Sequence, residues 1–289
     1  MIEVISAGAL LTVQDLGRAG LAHLGVPRSG AADVRSLRRA NTLVGNAPGA
    51  AALEATLTGA VLRALAPMVV GVAGAEAPVF VGDVPAPLGR PMRLAAGQVL
   101  DAGEATAGAR TYIAVRGGID VPAVLGSRST DVLSGLGPAP LAAGDRLRVG
   151  AAADPGQELF AAGAPTGPAL PGTDEAVTLR MLAGPRADWA DPAAIADLAH
   201  RSFVASDRSN RVGLRLAGDA IPRAREGELA SEGMVPGAVQ LPPSGEPVVF
   251  LADHPTTGGY PVIGVLDSAS LAAAAQVRPG QRVRLVASR

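Results

Sequence analysis

The stretch Ala51–Val115, AALEATLTGAVLRALAPMVVGVAGAEAPVFVGDVPAPLGRPMRLAAGQVLDAGEATAGARTYIAV, decides the fold class. Short runs of strand-forming residues alternate in it with Gly or Pro: Ala60–Leu65, Met68–Val72, Val79–Val81, Met92–Leu94, Gln98–Leu100 and Thr111–Val115. This is the pattern of a meander of short strands in a barrel or sandwich. Toward the N-terminus, Met1–Ser6 and Leu10–Gln14 read as two more strands around a turn at Gly8. Glycine-rich loops follow, and then a helix over about Asp33–Leu43, where Val34, Leu37, Ala40 and Val44 recur at helical spacing and Gly45-Asn46 ends the run.

Toward the C-terminus, Arg146–Val149 reads as a strand, and Ala151–Thr173, rich in Ala, Gly and Pro without periodicity, reads as a linker. Strands are then expected at Val177–Leu182, Ser202–Ala205, Leu214–Leu216, Ala238–Leu241, Val248–Ala252, Val262–Leu266 and Val283–Val286. Helices are expected at Pro192–Leu198, with Asp191 as its cap, and at Ser268–Gln276. The fold class is therefore β-rich α+β in two lobes, residues 1–170 and 171–289.

Composition narrows the chemistry. With 48% hydrophobic but only 2% aromatic residues, the core has to be built from Ala, Val, Leu and Ile. The formal net charge of −1 supplies no field for nucleic acid or an anionic membrane. There is no Cys, which excludes disulfides, thiolate catalysis and Cys-ligated metals. All 25 basic residues are Arg, so Schiff-base chemistry and a phosphate-loop lysine are excluded too. The opening Met1-Ile2-Glu3-Val4-Ile5 does not read as a targeting segment, and apolar runs such as Val69–Val72 are far too short to span a bilayer, so a cytoplasmic protein is expected.

Familiar enzyme templates fail. His23, His200 and His254 form no spaced metal pair, and no nucleophile elbow or dinucleotide fingerprint follows a strand. Four Gly-rich polar segments between strands stand out instead, because such loops bring backbone N–H groups and short side chains close to a ligand. The first runs Gln14-Asp15-Leu16-Gly17-Arg18-Ala19-Gly20, then Gly25-Val26-Pro27-Arg28-Ser29-Gly30-Ala31. The second is Arg116-Gly117-Gly118 with Gly126-Ser127-Arg128-Ser129-Thr130. The third joins Asn210-Arg211 to Glu232 and Gln240, and the fourth is Asp253-His254-Pro255-Thr256-Thr257-Gly258-Gly259-Tyr260-Pro261.

In this order, these segments resemble the allophanate hydrolase subunit 2 (KipA-type) family of the biotin-dependent carboxyltransferase-like group. Two small departures are Ala32, where the family often has Met, and His254, where it often has another basic or polar residue. The resemblance implies two β-rich lobes with cyclophilin-like barrel character, the barrel being residues 171–289. It implies work in a heteromeric complex with two companions, a KipI-type protein and a third chain, as in ATP-dependent 5-oxoprolinase, which opens 5-oxo-L-proline to L-glutamate. Related segments carboxylate urea with biotin, and other relatives act as antagonists of a kinase inhibitor. Biotin here has to arrive on another chain, since no Lys exists to carry it. A homodimer is compatible with the sequence.

With that chemistry in view, residue types suggest roles. Gln240, Asp253 and His254 are the candidate catalytic residues: an amide to read an amide, a carboxylate to orient water, an acid–base group. Arg116, Gly117, Gly118, Asn210, Arg211, Glu232, Thr256, Thr257, Gly258, Gly259 and Tyr260 are the candidates for binding substrate or ATP. The expectation is one amide-sized hollow shared by Thr257, Gln240 and Arg116. Structural readings stand beside these: Gly117-Gly118 as a bulge, Gly258-Gly259 as a tight turn, Gln14, Asp15 and Arg18 as an internal polar turn, Asn41 and Asn46 as helix-end residues, and Arg215 as a solvated strand charge.

Overall fold

The computed structural model describes residues 1–152, 170, 172, 174–227 and 229–288. All but four residues of the expected linker 151–173 lie outside the described residues. The chain divides into two compact units: residues 1–18 with 29–170, and residues 19–28 with 171–289.

The first unit contains β1 (Ile2–Ser6), β2 (Leu10–Gln14), α1 (Val34–Leu43), β3 (Ala52–Thr56), β4 (Ala60–Ala64), β5 (Met68–Glu76), β6 (Val79–Val81), β7 (Val84–Ala86), β8 (Pro91–Leu94), β9 (Val99–Ala102), β10 (Ala107–Val115), β11 (Ile119–Asp120) and β12 (Arg146–Val149). They form a seven-stranded sheet, ordered β11-β12-β1-β4-β9-β6-β7, and a five-stranded sheet, ordered β2-β3-β10-β5-β8. One apolar cluster joins Ile2, Leu62 and Leu100 of the first sheet to Leu53, Val72 and Ile113 of the second. Of the two forms expected for this stretch, barrel or sandwich, the strands make a sandwich, whose two inner faces share a core.

The other face of the five-stranded sheet is covered by α1, where Leu37, Ala40 and Leu43 meet Ala73, Tyr112 and Ala114. All nine residues of β10 are therefore buried, which removes the usual alternation. Small residues let the helix approach: a Cβ on Gly71 would lie 2.8 Å from Cβ of Leu43 and 3.1 Å from O of Ala40. Asp33 caps α1 by accepting from N–H of Arg35 and Ser36, both at 3.1 Å. A buried network ties these layers: Tyr112 Oη donates to Glu54 Oε2 at 2.6 Å and accepts from N–H of Asp33 at 2.8 Å.

The second unit contains β13 (Val177–Ala183), α2 (Pro192–Ala196), β14 (Phe203–Ala205), β15 (Gly213–Gly218), β16 (Glu232–Gly233), β17 (Ala238–Gln240), β18 (Val248–Phe250), β19 (Thr257–Gly258), β20 (Val262–Leu266), α3 (Ser268–Ala274) and β21 (Arg282–Ala287). Seven strands close a barrel in the order β13-β20-β17-β18-β15-β14-β21. Closure is made by a parallel pair, β13 with β21, in the register Val177 to Val283 through Met181 to Ala287. Leu179, Phe203, Leu214, Val239, Val249 and Leu285 pack the interior, so the barrel is a filled core. The expected barrel of the second lobe is thus present. Among the described residues no helix is long and apolar enough to cross a membrane.

Candidate active site

Alternation along the barrel strands sorts side chains into two sets. Leu214, Leu216, Val239 and Val249 point into the core, which turns Arg215, Gln240, Val248 and Phe250 outward. These outward residues, with the turns at 206–208 and 242–247 and with Tyr260, line a cavity of about 390 Å³. That volume lies in the range of small-molecule sites, about 300–1,000 Å³. Its polar lining includes Ser206, Arg208, Arg215, Gln240, Ser244 and Glu246.

Gln240 is held in place from behind. Its Nε2 donates to the carbonyl of Tyr260 at 3.1 Å and lies 3.6 Å from Sδ of Met234. Glycine at 258 leaves room for this amide: a Cβ there would sit 2.7 Å from Gln240 Nε2. The 256–260 segment is itself anchored, since β19 pairs antiparallel with β16 and the carbonyl of Thr256 accepts from N–H of Met234 at 2.9 Å. Glu232, on β16, accepts from Nε and Nη2 of Arg186, and this hydrogen bonding holds its carboxyl below the usual range.

The remaining predicted residues fall into different environments. Arg211 and Asp253 face each other. Arg211 Nε donates to Asp253 Oδ2 at 2.8 Å and Nη2 to Oδ1 at 3.0 Å, with 1% and 0% of the two side chains exposed. N–H of Asp253 also donates to the carbonyl of Arg211 at 3.0 Å, so the pair clamps two loops. Both carboxylate oxygens of Asp253, expected to orient water, are engaged here by a buried guanidinium through paired charge-assisted hydrogen bonds. Asn210 Oδ1 accepts from N–H of Val212 and Gly213 at 2.8 and 3.2 Å and shapes the turn into β15. His254 is buried, stacked on Phe250 with centroids 5.9 Å apart, and its Nδ1 lies 2.7 Å from the carbonyl of Pro255. It supports the cavity wall from behind Phe250.

The cavity is lined wholly by residues of the second unit, and neither Thr257 nor Arg116 lines it. Gly117 and Gly118 belong to the first unit, where their N–H groups are used: Gly117 donates to Asn46 Oδ1 and Gly118 to the carbonyl of Val115, both at 2.8 Å. They form the turn between β10 and β11 rather than an anion cradle. The Gln14, Asp15 and Arg18 segment is internal as well: Asp15 accepts from Ser127 Oγ at 2.6 Å, and Arg18 donates to Ser129 Oγ at 3.0 Å.

Of the residues singled out in the sequence, Gln240 and Tyr260 line this cavity; Arg208 and Arg215 line it too and were not among the candidates. Alternation placed Arg215 outward correctly. It carried no sign that the outer face there is concave.

A family profile described as carboxyltransferase domain, subdomain A and B, matches residues 24–287. The chain is 37% identical to the C subunit of 5-oxoprolinase from Escherichia coli over 99% of this chain and 91% of the relative. It is 33% identical to urea amidolyase of Lachancea kluyveri over 98% of this chain and 17% of that protein. The crystal structure of the K. lactis urea amidolyase superposes with a TM-score of 0.92 at 31% identity, covering all of this chain and 19% of that one. The chain therefore spans most of one set of relatives and about a fifth of the other. By profile, identity and shape together, it belongs to the carboxyltransferase-domain family with subdomains A and B.

Proposed function

We propose that the chain is one component of an ATP-dependent 5-oxoprolinase, active only in a complex with two companions, a KipI-type protein and a third chain. The observation that carries this reading is the 37% identity to the C subunit of a 5-oxoprolinase across 99% of the chain. The barrel cavity fits the substrate in kind, for it offers a positioned side-chain amide at Gln240 beside the apolar faces of Phe250 and Val248.

A lactam is an unactivated amide. Transfer of the ATP γ-phosphoryl group to the amide oxygen makes the ring carbon electrophilic. Water then attacks that carbon, the ring C–N bond breaks, and hydrolysis releases phosphate and L-glutamate. Gln240 would hold the amide in register during these steps, with Tyr260 closing one side. The chain has neither Lys nor a glycine-rich phosphate loop after a strand, so the reading assigns ATP to a companion protein and lactam binding to this chain. A cytoplasmic location follows, where ATP is supplied.

The likeness to urea amidolyase supports a second reading, carboxyl transfer to urea or a related amide from biotin carried on another chain. Purified chain is combined with both companion proteins and assayed for glutamate formed from 5-oxoproline and ATP. Glutamate formation that requires all three proteins is the expected result. Carboxylation with a biotin-carrier protein instead favours the second reading. Inactivity of the full set in both assays overturns both and leaves a regulatory binding protein.

A further inference from the structure

The outer face of the barrel presents two guanidinium groups to one cavity. Arg215 points outward from β15 because Leu214 and Leu216 on either side fill the barrel. Arg208 comes from the turn just before it. Both backbones are fixed in the same turn: N–H of Ser206 donates to the carbonyl of Arg215 at 2.8 Å, N–H of Arg215 to Ser209 Oγ at 3.0 Å, and N–H of Arg208 to Ser206 Oγ at 3.2 Å. Among the described residues neither guanidinium forms an ion pair. The one carboxylate in the lining is Glu246, which leaves the wall with an excess of positive charge.

A third group completes the pattern. Gln240 is only 5% exposed, yet it lines the same cavity. The carbonyl of Tyr260 engages its Nε2, so its Oε1 is the amide atom left to accept from a ligand. Phe250, Val248 and Pro247 supply an apolar surface between these polar groups. A ligand that satisfies all of them carries an anionic group, an N–H donor and a small apolar body. A carboxylate matches the planar fork of Arg through paired charge-assisted hydrogen bonds.

We propose that Arg208 and Arg215 form the carboxylate subsite for a small cyclic amide acid, with Gln240 Oε1 accepting from the ring N–H. The proposal rests on reading this cavity as the lactam site and names the residues that select a lactam bearing a carboxylate.

Two experiments with the full chain test it. In calorimetric titrations, wild-type chain binds 5-oxoproline, while 2-pyrrolidinone, which lacks the carboxylate, binds at least about tenfold more weakly. Arg215→Gln and Arg208→Gln each weaken 5-oxoproline binding about tenfold or more and leave 2-pyrrolidinone binding where it was. Glu246→Gln, which removes the opposing charge, tightens 5-oxoproline binding. In the assembled enzyme, the arginine variants raise KM for 5-oxoproline more than they lower kcat. Equal binding of the two lactams, or arginine variants with unchanged KM in an active assembly, overturns the subsite and leaves the oxoprolinase reading standing. If the wild-type assembly is inactive, the titrations decide. Arginine-dependent binding of the carboxylate then keeps the subsite while the oxoprolinase reading fails, and binding indifferent to both arginines overturns the subsite.

Discussion

Arg211 is the largest fully buried side chain among the described residues, and its charge is answered by Asp253. Removing one member of such a pair leaves the other charge buried, so Arg211→Ala is expected to cost about 3–5 kcal/mol. Urea denaturation measures this as a fall in the transition midpoint. Arg211→Met with Asp253→Leu, which removes both charges and keeps the volume, should recover most of the loss. Gly258 acts by absence. The methyl of Gly258→Ala would press on Gln240 Nε2, so the amide has to leave the carbonyl of Tyr260 or the segment has to shift. The expected cost is about 1–3 kcal/mol of stability, with a raised KM for the lactam. Steady-state kinetics of the reconstituted complex checks the second part.

At the scale of elements, caps and cross-layer bonds define the helices' seats. Asp267 caps α3 by accepting from N–H of Ser270 at 2.7 Å, and that bond holds its carboxyl below the usual range. A depressed carboxyl contributes stability above the pKa of the unfolded chain and loses it as pH falls through the folded value. Asp267→Ala should therefore cost about 1 kcal/mol at neutral pH. The gap to wild type should narrow as both proteins are acidified through the carboxylate range, measured by urea midpoints across a pH series. Tyr112 joins β10, β3 and the start of α1 through one hydroxyl, and burial pushes its ionisation well above the usual range. Tyr112→Phe strips Glu54 of a donor and N–H of Asp33 of an acceptor, at an expected cost of about 1–3 kcal/mol, seen as a lowered thermal midpoint.

The same scale shows what the sequence could reveal. Strands with Val, Leu or Ile between glycines, such as β5 and β20, were legible because their residue types favour a pleated surface. β3 was not, since its ALEAT sequence carries alanines and a glutamate that belong equally to a helix. Its Glu54 is fully buried because Tyr112 and N–H of Ala32 reach it, which no local pattern discloses. The site was legible in part for a similar reason. Gly258 and Gln240 stood out by type. The placement of Arg211 depended on whether a carboxylate from elsewhere in the chain comes to meet it, which its loop sequence does not show, whereas the outward, solvated position of Arg215 followed from strand alternation alone.

At the scale of the whole molecule, each unit has its own core, one a two-sheet sandwich and the other a closed barrel. The barrel's first strand, β13, is flanked by strands that come much later in the chain: β20 on one side and β21 on the other. A ribosome that has released residues up to 280 has therefore delivered six of the seven staves, with β13 and β14 still showing bare hydrogen-bonding rims. Such rims recruit strands from other chains. A chain cut before Arg282 is expected to bind hydrophobic dyes and to associate into large species, as light scattering would show. During synthesis the barrel half is then a client for chaperones until its final stave emerges, whereas the sandwich half, already whole by residue 150, is not.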